Sequence, residues 1–135
     1  GMCMDNRKDL IIPNEFAYII RGAGANLHGS EFEISYAIAV GGVSTIALLA
    51  HTDCGMSHVS EKRDSFIRGL VERAGYDSDN AARQFDKYAD LYQIGDPIKF
   101  ILTETARLQG LYPKILIAPL LYKVEDDQLE QIVEN

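Results

Sequence analysis

His51 and Cys54 stand in a His-x-x-Cys turn directly behind the apolar run VSTIALLA. An imidazole and a thiolate at that spacing can reach one ion from a single turn. Alone the pairing is a weak signal, because the two residue types share a turn by chance often enough. Cys3 offers a third nitrogen-or-sulfur ligand from the opening segment GMCMDNRKDL. Two thiolates and an imidazole suit zinc, and three protein ligands leave a fourth position open. Such an ion would also pin the front of the chain, which would otherwise fray. Asp5 and Arg7 extend the set. In an extended segment alternate residues share a face, so Cys3, Asp5 and Arg7 are expected to point the same way. A carboxylate beside a cation stays ionised; Asp5 could then accept a hydrogen bond from a metal-bound hydroxide or bind the metal itself. The plainer reading of Asp5 and Arg7 is a solvated ion pair worth little.

The rest of the composition narrows the class. At 135 residues the chain reads as one domain over 1–135, long enough for an ordinary core. Hydrophobic residues at 47% and charged residues at 24% are those of a globular protein. A net charge of -7 argues against nucleic acid, which needs clustered Lys and Arg. Gly1 ahead of Met2 reads as an expression scar, and no basic-then-apolar leader follows, so a cytoplasmic protein is expected. The apolar stretch 34–50 is broken by Ser35, Gly41, Gly42, Ser44 and Thr45. It reads as helix, turn and strand, not as a membrane span. Two cysteines make no disulfide framework; one bridge, or two buried thiols acting as small hydrophobes, are the alternatives to metal ligation.

The positioning elements follow from periodicity. Residues 16–21 form a short β-rich run ended by glycines. The segment HGSEFEISYAIAVGG is a helix, with Ser30 and Glu33 as a capping box and Gly41 and Gly42 as its end. VSTIALLA is a continuous apolar run, typical of a strand buried on both faces. Phe66, Leu70 and Val71 make one helical stripe, stopped by Gly75; Ala81, Phe85, Tyr88 and Tyr92 make another, opened by DSDN. Asp96-Pro97 starts a third helix, running through Ile98, Ile101, Leu102 and Leu108 to Gly110. PKILIAPLLYKV is a strand with its continuation, and DDQLEQIVEN reads as a tail. Strands alternating with helices predict an α/β fold: three layers, αβα, around a mainly parallel sheet. Ligands gather beyond the carboxyl ends of such strands, where Ala50 hands over to His51.

Cys-x-Asp-x-Arg in CMDNR and His-x-x-Cys-Gly in HTDCGM, in this order, resemble the β-class carbonic anhydrases. AYIIRGAGA looks like that family's strand ending in Arg-Asn-Ala-Gly. GSEFEISYAIAVGGVSTIALLAHTDCGM is similar to its helix, strand and metal turn, and PKILIAPLLYKVEDDQLEQI to its last strand and extension. The resemblance covers most of the chain and is weakest over 57–92. It implies one zinc per chain held by Cys3, His51 and Cys54. Asp5 and Arg7 would be the family's dyad, Asp5 orienting or gating the fourth ligand and Arg7 keeping Asp5 off the metal. It implies reversible hydration of CO2 to bicarbonate by a metal-bound hydroxide, in a homodimer or larger homo-oligomer. Two thiolates neutralise the ion's formal charge, so activity is expected to rise toward alkaline pH.

Two departures from that pattern stand out. The family's cysteine follows a buried strand and an N-terminal arm that embraces a partner subunit; almost nothing precedes Cys3. The sheet is therefore expected to lack a strand and Cys3 to be poorly held. Gly22 stands where the family usually has Asn. GAGANLHG has the spacing G-x-G-x-x-x-x-G, not the dinucleotide fingerprint. His28 and His58 are candidate proton shuttles or plain surface residues; Asp53 reads as a capping or solvated group, and Tyr88 and Tyr92 as core or subunit interface. Rival functions are hydrolysis of a related linear molecule, carbonyl sulfide or carbon disulfide, on the same ligands; a non-catalytic zinc-binding or interaction protein whose fourth position is closed by Asp5; and a metal-free Cys3/Cys54 redox pair.

Overall fold

A computed structural model describes residues 1–4 and 17–133. Three strands form one sheet in the order β1-β2-β3, where β1 is Thr45–His51, β2 is Leu116–Lys123 and β3 is Gln128–Gln131. β1 and β2 run parallel in the register Leu48↔Pro119 and Ala50↔Leu121. Four α-helices accompany them: α1 (Glu31–Ala39), α2 (Arg63–Ala74), α3 (Ser78–Tyr92) and α4 (Pro97–Leu111). The α/β architecture is the expected one.

The chain's first residues join the sheet. Met2 bridges in parallel to Arg21 on one side and Leu49 on the other. Met2 N–H donates to the Ile20 carbonyl at 3.0 Å, Gly22 N–H to the Met2 carbonyl at 3.0 Å, and Leu49 N–H to the Gly1 carbonyl at 2.7 Å. The α-amino group of Gly1 donates to the Ala47 carbonyl at 2.8 Å, and burial pulls its pKa down to about 6. Met2, the residue before Cys3, is thus held from both sides, contrary to the expectation of a poorly held ligand. Over 16–21 the expected strand is reduced to the single bridge at Arg21; Phe16 lies outside the described residues. Behind Gly1, a cavity of 860 Å³ opens among Ala17, Ile20, Ile34, Ile38, Ala47 and Leu49.

One sheet face carries the core. Leu48 and Ala50 of β1 and Ile117 and Leu121 of β2 pack with Ile34 of α1 and with Ile101 and Leu108 of α4. Leu48, Ile101 and Leu108 are fully buried. α4 starts as predicted: the Asp96 side chain accepts from Ile98 N–H and Lys99 N–H, ahead of Pro97. α3 opens on Asp77, which accepts from Asn80 N–H. α2 ends on Gly75 in the left-handed conformation (φ 68°) and packs on α3 through Phe66 and Phe85. Tyr88 and Tyr92 are exposed, not core.

Three local expectations fail for identifiable reasons. Ser30 makes no side-chain cap, because its φ of -102° and ψ of 11° are not the extended N-cap geometry; Gly29 N–H donates to Glu31 instead, at 2.8 Å. β1 is not buried on both faces: Thr45 and Ala47 are exposed among the described residues, and the opposite face closes only toward His51. The tail is also no simple tail. Asp127 adopts φ 58°, Asp126 accepts from Gln128 N–H at 3.1 Å, and this turn folds β3 back antiparallel on β2.

Candidate metal centre

The sheet's carboxyl end brings three donors together. Cys3 follows the bridged Met2, His51 is the last residue of β1, and Cys54 caps the 3-10 helix at Gly55–Lys62. All three are buried, and their ligand atoms lie within 4.8 Å of one another. Two sulfurs each about 2.3 Å from a tetrahedral zinc sit about 3.8 Å apart, inside that limit. The two sulfurs are not joined in a disulfide. Two thiols and an imidazole, buried and converging, are a donor set able to hold a metal ion.

The surroundings fix each donor. His51 Nδ1 lies 2.7 Å from the Thr52 carbonyl. That carbonyl can only accept, so the proton sits on Nδ1 and Nε2, which is buried, carries the lone pair a metal needs. Thr52 is itself clamped by the end of β2. Its N–H donates to the Tyr122 carbonyl at 3.0 Å; its hydroxyl donates to Glu125 and accepts from Val124 N–H, each at 3.0 Å. Asp53, the next turn residue, adopts φ 52° and is exposed, so the turn projects Cys54 back toward His51.

Cys3 has its own support. Gly24 N–H donates to Cys3 Sγ at 3.2 Å, and a donor aimed at sulfur suits a thiolate better than a thiol. Arg21 donates to the Cys3 carbonyl at 3.2 Å. Gly24 adopts φ 71°, and a Cβ there would sit 2.7 Å from Ile94 Cγ2; glycine alone permits both the turn and the close approach. A Cβ at Gly22 would lie 2.6 Å from the Asn26 carbonyl oxygen, so the departure from Asn at this position is a requirement of the turn as folded here. Ile94, with Met56 and Phe100, packs an apolar wall against Cys3 and Cys54.

Asp5 and Arg7 lie outside the described residues. His28 Nδ1 is 2.7 Å from Asn26 Oδ1, and His58 is exposed on the helix after Cys54. Sequence reasoning passed over Gly24 as a sulfur donor, Thr52 as the histidine's anchor, and Glu104. The signals were there: a glycine pair where a turn must reach a ligand, and a Glu at 104, in register with the Ile101 and Leu108 stripe.

No protein-family model matches the sequence, and no curated protein matches it. Solved structures do. A carbonic anhydrase from Glaciozyma antarctica matches over 98% of this chain and 79% of its own, with a TM-score of 0.76 at 26% identity. A β-carbonic anhydrase, isoform I, from the protozoan Trichomonas vaginalis matches over 98% and 80%, with a TM-score of 0.80 at 21% identity. An apo form of carbon disulfide hydrolase matches over 96% and 74%, with a TM-score of 0.66 at 24% identity. The fold is that of the β-carbonic anhydrases. The resemblance read from the sequence is borne out in the fold and in a Cys–His–Cys cluster that fits that family's zinc site.

Proposed function

We propose that this chain is a zinc enzyme that hydrates CO2 reversibly to bicarbonate, with Cys3, His51 and Cys54 as the metal's three protein ligands. The observation that supports this most is the convergence of three buried donors, from the first residues and from the end of β1, within 4.8 Å of one another. Zinc lowers the pKa of a bound water to about 7 in favourable sites and would supply a nucleophile here, with two thiolates weakening its pull on that water.

The chain's own residues then divide the work. The Thr52 carbonyl holds the His51 tautomer, which keeps Nε2 a ligand. Gly24 N–H steadies the negative sulfur of Cys3. The wall of Ile94, Met56 and Phe100 offers no charge, which suits a linear, uncharged substrate and excludes bulk water from the donors. Asp5 and Arg7 are assigned, from the resemblance, as the hydrogen-bond acceptor beside the fourth ligand position and its cationic partner. Tyr18, Phe32, Tyr36, Val40 and Leu116 leave an exposed apolar surface beside the open sheet face. Surface of that kind favours self-association, in line with a homo-oligomer. Among the described residues no helix is long and apolar enough to cross a membrane.

A second reading keeps the site and changes the substrate to carbon disulfide or carbonyl sulfide, in line with the hydrolase among the structural matches. Metal analysis with a stopped-flow CO2 hydration assay and a panel of both sulfur compounds tests all of this. The expected result is one zinc per chain and CO2 hydration above the buffer rate. Turnover of the sulfur compounds alone transfers the assignment to the second reading. Zinc without turnover of any of them leaves a non-catalytic zinc holder. Purified protein that takes up no zinc overturns the proposal.

A further inference from the structure

We propose that Glu104 is a positioning residue for the Cys3 sulfur, acting through the turn at 22–27; this rests on reading Cys3 as a metal ligand. Glu104 sits on α4 and is 1% exposed. Both carboxylate oxygens are engaged. Oε2 accepts from Leu27 N–H at 2.7 Å, and Oε1 accepts from Arg107 Nε at 2.6 Å. Arg107 continues to Glu31 Oε1 at 2.7 Å, and His28 Nδ1 lies 3.5 Å from Oε2.

A buried charge network is poor evidence of added stability, because well-packed apolar residues often serve as well. At a stripe position between Ile101 and Leu108, a leucine would fill the core. What a leucine cannot do is accept the Leu27 N–H. That bond anchors one end of a stiff unit. Ala25 N–H donates to the Gly22 carbonyl at 2.9 Å and Asn26 N–H to the Ala23 carbonyl at 3.3 Å, so 22–25 and 23–26 are two overlapping turns that lead directly into Leu27. Within those turns, Gly24 N–H meets Cys3 Sγ. The carboxylate on α4 therefore sets where that donor points, although its own partners are Leu27, Arg107 and His28.

The test compares Glu104→Met, which removes the acceptor, with Glu104→Gln/Arg107→Met, which removes the ion pairs but leaves an amide oxygen with no competing donor to turn it from Leu27. Amide exchange of Gly24 is read by NMR on metal-free protein, with Leu48 in β1 as internal standard. Zinc release to a chelator is read separately. In Glu104→Met, Gly24 exchange and zinc release are each expected to rise about tenfold, the scale of support beyond the ligands themselves, while Leu48 moves far less. In the double variant both return to within about threefold of the parent. Unchanged Gly24 exchange in folded Glu104→Met overturns the proposal, as does a double variant as impaired as the single one. Should Glu104→Met fail to fold, the double variant decides alone: parental Gly24 exchange upholds the claim and faster exchange refutes it. A parent that binds no zinc sinks the function proposed above, yet the Gly24 measurement still decides the role of Glu104.

Discussion

Gly24→Ala is the substitution whose consequence the geometry defines most sharply. The residue adopts φ 71° and ψ 15°, a left-handed conformation that costs a side-chain-bearing residue about 1–2 kcal/mol. The new Cβ would also sit 2.7 Å from Ile94 Cγ2 and 3.3 Å from both Ile94 Cδ1 and Met56 Cβ. Ile94 is 9% exposed and packed against the two sulfurs, so relief comes only by moving the wall or the turn. Overpacking of this kind costs about 1–3 kcal/mol, for a total of about 2–5 kcal/mol. A matched control exists in Gly75. It has φ 68° and ψ 24°, and a Cβ there meets nothing within 4 Å. Gly75→Ala therefore carries the backbone cost alone. Urea denaturation of both metal-free variants isolates the steric part as their difference. Chelator competition should show zinc bound about 10–100-fold more weakly in Gly24→Ala and unchanged in Gly75→Ala. Adding Ile94→Ala to Gly24→Ala should give less than the sum of the two single costs. Equal stabilities and equal zinc affinities for the two alanine variants would refute the reasoning.

Further outcomes follow from the same geometry. Gly22→Asn, although it restores the residue usual in the family, should lower the melting temperature, because its Cβ meets the Asn26 carbonyl at 2.6 Å; a more stable or more active variant counts against the turn described. Thr52→Val removes both hydroxyl bonds and strands the Val124 N–H, at a cost of about 1–3 kcal/mol, and loosens the carbonyl that holds His51; denaturant midpoints and zinc affinity check it. Removing zinc from protein held at 100 times its dissociation constant should cost about 2.7 kcal/mol and lower the melting temperature by about 10 °C, whereas no shift on chelation would mean no metal joins the front of the chain to β1. CO2 hydration should still be climbing above neutrality, because two thiolates weaken the ion's pull on water; a pH–rate profile already flat below pH 7 contradicts this.

Where the sequence is readable, local chemistry carries the message. Asp96-Pro97 caps a helix wherever it packs, Gly75 must end one, and the apolar run ahead of His51 makes a strand whose end carries two of the three clustered donors. The failures come where a partner elsewhere in the chain decides. DDQLEQIVEN contains one large apolar residue per turn and resembles a tail until β2 presents a free edge; then Leu129 faces Tyr122 in register and the segment becomes β3. The apolar run of β1 predicts cover on both faces, because composition registers only that both faces avoid charge. α4 and α1 cover one of them, and Thr45 and Ala47 on the other are exposed among the described residues.

The site divides along the same line. Cys3, His51 and Cys54 were legible because their chemistry is rare and their spacing restrictive. Their supports were not, because two of the three act through the backbone. Gly24 offers an N–H, and Thr52 offers a carbonyl; any residue has both groups, so side-chain identity says nothing about them. Only the conformations betray them, φ 71° at Gly24 and the clamped turn at Thr52. Glu104 is the exception, since its side chain does the holding. A Glu at a position where the helix calls for a core residue must find a partner or destabilise the fold, and the partner it finds, Leu27 N–H, ties the core helix to the turn that serves Cys3.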